Sequence, residues 1–347
     1  MRPPAFRVPT TLTEWSAQRR RIRRTLARLL GGTPARPSPA RARLASRRDA
    51  STYLREDLRL DDGAGGRIPA ALLLPRTGAP PFPAVLYHHS HCGDYAVGLE
   101  ELFAPWPVRE TPATALTRRG YAVLAIDARA FGARQGQGPG GPSETGRDEE
   151  MSLAKALLWE GTSLWAAMVR DDRIALDYLA ARPEVDPRRI GATGMSMGST
   201  RTWWLAALDE RIAAAACVAC LTRYQSLLAH HALRRHGIYY YLPGILPHFD
   251  AEAVVSLIAP RPLLTLTGDR DGASPADGVR AIHRAVARVY RLHGAGERFT
   301  SVLLSGVGHV YTPAMFARVL AWLDAQLQPG SRAPARRRQL PAPSERR

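Results

Sequence analysis

Apolar positions along this chain follow two alternating rhythms. Short runs that are apolar at nearly every position, bounded by glycine, proline or aspartate, read as strands buried on both faces; longer stretches with apolar residues three and four apart read as helices. The first helical stretch puts Leu12, Trp15, Ile22, Leu26, Leu29 and Leu30 on one face and arginines on the other, and Gly31-Gly32 ends it. Strand-like runs at 52–60 and 68–74, separated by the turn-forming segment 61–66, predict a hairpin. Further strands are expected at 83–88, 121–127, 189–195, 212–221, 262–268 and 299–304. Helices are expected near 112–119, over 152–181 with a break at Gly161-Thr162, and at 202–208, 276–292 and 312–327. Glycine-rich residues 129–150 read as an exposed loop, and 222–249 as an irregular insertion.

Strands alternating with helices predict an α/β fold with a mostly parallel central sheet and helices on both faces. The expected layout is a basic N-terminal extension over 1–50, containing the amphipathic helix 12–30 and a Pro/Ala/Arg connector at 33–48. The main α/β domain, over 51–328, follows, with 222–249 as a cap or lid, and then a basic disordered tail over 329–347. The insertion leaves the C-terminal end of a strand, where open α/β sheets place their binding crevice.

The formal charge of +17 brings in a competing picture, nucleic-acid or anionic-membrane binding. Residues 1–50 carry +11 and residues 329–347 carry +5, which leaves +1 for everything between. The basicity belongs to the ends. A terminal helix that buries its Leu/Trp stripe and solvates its arginines is the preferred reading over a binding surface. Three cysteines, Cys92, Cys217 and Cys220, are too few for a disulfide framework, and the Cys217-Val218-Ala219-Cys220 spacing lies in a buried strand, so packed thiols are expected. No apolar run is long enough to span a bilayer and arginines interrupt any leader-like core, so a cytoplasmic protein is expected.

The chemistry centres on Gly194-Met195-Ser196-Met197-Gly198, a GxSxG sequence between a β-prone run and a helix-forming one. Ser196 needs a histidine base, and that histidine needs an orienting carboxylate. Both follow in order at strand ends. Gly268-Asp269-Arg270-Asp271-Gly272 offers the acid, and Ser305-Gly306-Val307-Gly308-His309 offers the base. Asp271 is chosen over Asp269, because the residue directly after a strand usually serves the turn. The oxyanion donors are expected at the Met197 amide and in the loop after residue 88, at His91 with Ser90 as the near alternative. His89, Tyr239 and Tyr240 are candidates for the substrate pocket. The cluster His88, His89, His91 and Asp94 has metal-ligand chemistry, but adjacent His88 and His89 at a strand end point to opposite sides, so no metal is expected.

With these residues in place the chain resembles the α/β-hydrolase superfamily, and within it the dienelactone-hydrolase-like and acetyl-xylan-esterase-like branch. The likeness is carried by 68–75, the loop Tyr87-His88-His89-Ser90-His91, 119–129, 172–179, 185–191, 194–198, 207–212, Ala259-Pro260-Arg261-Pro262 and 268–271. The resemblance implies a serine carboxylester hydrolase working through an acyl-enzyme without a cofactor, on a small-molecule ester. Ser196 matches the nucleophile, Asp271 the acid and His309 the base. Ser90, Ala130 and Ser199 stand where glycine is common in that pattern, and true dienelactone hydrolases use cysteine where this chain has Ser196. A peptidase or lactone hydrolase with the same triad, and a basic-tailed binding protein, are the alternative readings.

Overall fold

The computed structural model describes residues 3–32, 41–63, 65–106 and 108–328. Its centre is a nine-stranded sheet in the order β1-β2-β3-β5-β4-β6-β7-β8-β9. These strands are β1 (Ala42–Asp49), β2 (Tyr53–Asp61), β3 (Arg67–Pro75), β4 (Phe82–His88), β5 (Ala122–Ile126), β6 (Val185–Met195), β7 (Ile212–Val218), β8 (Leu263–Gly268) and β9 (Phe299–Leu304). The first three pair antiparallel, as does β3 with β5; from β5 to β9 every pair is parallel. The helices are α1 (Leu12–Leu29), α2 (Pro112–Thr117), α3 (Gly146–Trp159), α4 (Leu164–Ala180), α5 (Met197–Leu208), α6 (Tyr224–Ala229), α7 (Ala251–Ser256), α8 (Ala276–Leu292) and α9 (Pro313–Leu327).

The unbroken apolar runs have a direct physical reason. Successive side chains of a strand point to opposite faces, and here both faces are covered. Ala84 and Leu86 of β4 and Leu124 and Ile126 of β5 join one core with α4, α5, α7 and α8. Val85, Tyr87, Val123 and Ala125 join a second core with α2 and α9.

Two expectations are corrected. Residues 42–49, expected within a connector, form the edge strand β1 with all eight residues exposed. Apolar periodicity is silent there because β1 buries nothing: backbone pairing to β2 holds it, helped by Arg47 to Glu56 at 2.7 Å and Arg48 to Asp57 at 2.6 Å. The exposed loop expected over 129–150 gives way to α3 already at Gly146. The insertion 222–249 contains α6 and two short 3-10 turns, at Leu233–Arg235 and Ile238–Tyr240. The rest of the connector, 33–40, and the tail from 329 lie outside the described residues.

Helix α1 starts with a capping box, Thr11 receiving the Glu14 amide while Glu14 reaches back to the Thr11 amide. It buries Trp15, Ile22 and Leu26 against the domain. Arg19 and Arg23 pair with Glu210, at 2.6 and 3.2 Å. No helix among the described residues is long and apolar enough to cross a membrane.

Candidate active site

Strand β6 lies between β4 and β7 and ends at Met195, so Ser196 projects from the C-terminal edge of the sheet as α5 begins at Met197. Ser196 holds φ 57° and ψ −116°, a strained conformation for a residue with a side chain. Its amide donates to the Val218 carbonyl at 2.9 Å, pinning the turn to β7. The flanking glycines are required by proximity and not by a left-handed backbone. A Cβ on Gly194 would lie 2.7 Å from the Gly198 carbonyl carbon, and one on Gly198 would lie 2.8 Å from the His88 carbonyl carbon and 2.9 Å from the His89 oxygen.

The loops after β8 and β9 meet at this turn. His309 Nε2 lies 2.9 Å from Ser196 Oγ, and His309 Nδ1 lies 2.9 Å from Asp271 Oδ2. With Nδ1–H donating to the carboxylate, Nε2 is left as the acceptor for the serine hydroxyl. Asp271 is buried, and its other oxygen accepts the Ala273 amide at 2.8 Å, which fixes the carboxylate plane. Asp269 instead accepts the Gly306 amide at 2.8 Å and ties the two loops together.

The loop after β4 is held by a residue the sequence did not single out. Glu101, buried in the 3-10 turn Gly98–Phe103, accepts the Ser90 amide at 3.0 and 3.1 Å, the Ser90 hydroxyl, and Tyr87 Oη–H at 2.8 Å. Burial raises the Glu101 pKa, opposed by these donors. The Ser90 amide is therefore occupied, which removes Ser90 as an oxyanion donor. The amides of His91 and of Met197, at the first position of α5, have no protein acceptor among the described residues. Nothing in the local sequence separates Glu101 from exposed Glu100 beside it; only the approach of the turn to Ser90 does.

His89 is also corrected. Its ring is fully buried, with Nε2 accepting the Ala128 amide at 3.0 Å and Nδ1 donating to the Ser90 carbonyl at 2.8 Å. It braces the loop against the end of β5 and does not line the pocket. Burial pushes its pKa down to about 3. His88 faces α5 and α4, with Nδ1 2.9 Å from Thr202 Oγ1 and Nε2 3.6 Å from Asp172. Burial, then the Arg201 guanidinium, holds it neutral. The two histidines serve different elements and do not converge on a common point.

A cavity of about 870 Å³ opens over Ser196 and His309. Its walls include Ser90, His91, Tyr95, Glu101, Trp106, Glu150, Met195, His236 and Tyr239. Tyr239 thus reaches the cavity from the insertion. Tyr240 does not; it is buried and stacked on His236, with ring centroids 4.0 Å apart. Trp165, Trp203 and Trp204 are core residues, whereas Trp159 is 93% exposed. Cys220 lies beneath Ser196, Sγ 3.8 Å from Oγ, and burial pushes its thiol up to about 12.

Of the three positions where glycine is common in the family pattern, Ala130 keeps the glycine-like backbone, and the two serines are explained by what they bond. Ala130 sits at φ 67°, the left-handed region that favours glycine. Ser199 donates to the Ala219 carbonyl at 2.6 Å and anchors α5 to the end of β7. Ser90 is gripped by Glu101 as described.

The model of the dienelactone hydrolase family matches residues 107–293. YtaP of Bacillus subtilis (strain 168), a protein named as a hydrolase, is 37% identical over 307 residues, which is 88% of this chain and 98% of that one. Among solved structures, the glucuronoyl esterase from Solibacter usitatus superposes with a TM-score of 0.66 at 18% identity, covering 93% of this chain and 98% of its own. The acetyl xylan esterase from Paenibacillus sp. R4 superposes with a TM-score of 0.62 at 21% identity, covering 88% and 93%. At those identities the two structures establish a shared α/β-hydrolase fold. The family match extends across the strand that delivers Ser196 and the loop that carries Asp271, and a relative of nearly the same length aligns almost end to end; the chain belongs to the dienelactone hydrolase family.

Proposed function

We propose that this protein is a serine carboxylester hydrolase in which Ser196 is the nucleophile, His309 the base and Asp271 the acid. The observation that carries the reading is the hydrogen-bonded series Ser196, His309, Asp271 at the floor of an open cavity, with each contact at 2.9 Å. Ser196 Oγ attacks the ester carbonyl carbon as its proton passes to His309 Nε2; the imidazolium is stabilised by Asp271. The negative oxygen that develops is met by the amides of Met197 and His91. Collapse of the tetrahedral intermediate expels the alcohol, which takes the proton from His309. A water, deprotonated by His309 in turn, then attacks the acyl-enzyme, and the carboxylic acid leaves as Ser196 regains its proton. No cofactor enters this sequence of steps. The cavity size suits a small to medium ester, and the names of the superposed esterases favour ester over peptide or lactone cleavage.

The test is labelling with a fluorophosphonate probe together with a series of p-nitrophenyl esters of increasing acyl length. The wild type takes the label at Ser196 and hydrolyses the short esters, and Ser196→Ala does neither. A folded wild type that takes no label, or a Ser196→Ala variant as active as wild type, refutes the reading.

A further inference from the structure

The wall of the cavity holds a hydrogen-bonded chain that acyl transfer itself does not use. His91 Nδ1 accepts the Gly93 amide at 3.3 Å, so the neutral ring carries its proton on Nε2, which donates to Tyr95 Oη at 3.1 Å. Tyr95 donates in turn to Glu150 Oε2 at 2.8 Å. Every link therefore has one direction, ending on a carboxylate. Glu150 is buried on α3, an element remote in sequence from the loop it supports, and Arg147 from the first turn of the same helix faces both Glu150 and Tyr95. The His91 ring is packed on three sides, stacked on Tyr239 at 5.7 Å and met edge-on by Tyr95 at 4.7 Å and Phe131 at 5.1 Å.

The backbone explains why such support matters. Directly after His91 the chain passes through two left-handed residues, Cys92 at φ 41° and Gly93 at φ 79°. The peptide plane that carries the His91 amide therefore sits at the edge of a sharp turn, outside any regular element, with its own carbonyl, Ser90 O, accepting His89 Nδ1–H at 2.8 Å. Glu101 grips the preceding residue, Ser90, and the chain through Tyr95 grips His91 by its side chain. An oxyanion donor acts only when held within about 2.7–3.1 Å of where the charge develops.

We propose that Tyr95 and Glu150 are positioning residues that set the His91 amide for the oxyanion, an inference that rests on the serine-esterase reading of the same site. Glu150 supplies an acceptor that orients the Tyr95 hydroxyl, and Tyr95 fixes the rotation of the His91 ring. Neither residue touches the reacting atoms.

The test compares Tyr95→Phe, Glu150→Ala and Glu150→Gln with wild type, with kcat expressed per active site titrated by the fluorophosphonate. Tyr95→Phe and Glu150→Ala lower kcat on a short p-nitrophenyl ester about tenfold with KM within twofold, and slow the fluorophosphonate reaction by a similar factor, a fraction of what removing an oxyanion donor outright costs. Glu150→Gln keeps an acceptor for Tyr95 and stays within about threefold of wild type. Titrating the sites removes misfolded protein from the comparison, and should Tyr95→Phe not fold, the Ala and Gln variants at position 150 decide. A kcat within twofold of wild type in Tyr95→Phe, a loss confined to KM, or Gln and Ala at 150 behaving alike overturns the proposal. A wild type without Ser196-dependent labelling is a different failure, which removes the esterase reading and this one with it.

Discussion

Gly198→Ala tests whether the Ser196 turn and the loop after β4, the proposed nucleophile turn and oxyanion loop, are one packed unit. The added methyl would meet the His88 carbonyl group and the His89 oxygen, the latter at 2.9 Å, where ordinary contact begins at 3.4 Å. These are backbone atoms at the end of β4, so no side chain can swing aside. Relief requires the start of α5, or the His88 to His91 segment, to move by about 1 Å, and a misplacement of that size costs on the order of 10²-fold in rate. The corresponding rise in barrier is about 3 kcal/mol. The overpacking also destabilises the fold by about 1–3 kcal/mol. The assay is kcat/KM on p-nitrophenyl acetate with sites titrated by fluorophosphonate, alongside thermal unfolding. A folded Gly198→Ala enzyme within threefold of wild type would show that the loop position does not govern the chemistry.

Asp271→Asn should lower kcat by several thousandfold, since an amide cannot hold the imidazole in the required tautomer, whereas Asp269→Asn should cost tenfold or less; a kcat ratio in the opposite sense would move the acid to Asp269. Arg201 and Asp172 form a fully buried pair at 2.6 Å, so Arg201→Met strands a carboxylate and should cost about 3–5 kcal/mol in urea unfolding; the double variant with Asp172→Leu should recover most of that loss, and a double variant no better than the single one contradicts the pairing. Burial holds His236 at about 4 against an ordinary 6.5. The unfolded state therefore binds the extra proton, and the contribution of His236, present above pH 6.5, is lost as pH falls toward 4. Between pH 6 and 5 the wild type should lose about 1.2 kcal/mol more stability than His236→Gln, and equal slopes from urea titrations would show that His236 is not buried neutral.

How much of this was legible in the sequence depends on what each feature needed for its detection. The strands β4, β5, β7 and β8 announce themselves because burial on both faces leaves few polar positions, and α1 because its buried stripe repeats at helical spacing. β1 was missed because an exposed edge strand obeys no apolar pattern. His89 and Tyr240 were placed one layer too close to the substrate, since aromatic residues near a pocket read alike whether they line it or brace the wall behind it. Glu101 and Glu150 each stand beside a second glutamate. Glu100 pairs with Arg55 at the surface and Glu149 caps the amides of Gly136, Gln137 and Gly138, so adjacent, chemically identical residues carry unrelated duties.

By itself the sequence determined the family of folds and the order serine, carboxylate, histidine at successive strand ends, because strand ends and glycine-bounded turns are local features that the pattern of side chains writes directly. Only the tertiary structure decided which carboxylate reaches the imidazole, which amide of the 88–95 loop is left free, and how that loop is held. Those outcomes rest on approaches between segments far apart in the chain, such as Tyr95 to Glu150 at 2.8 Å and Glu101 to Ser90 at 3.0 Å. A hydrogen bond fails over a few tenths of an ångström, a precision that residue identity and spacing cannot encode before the sheet has brought the loops together.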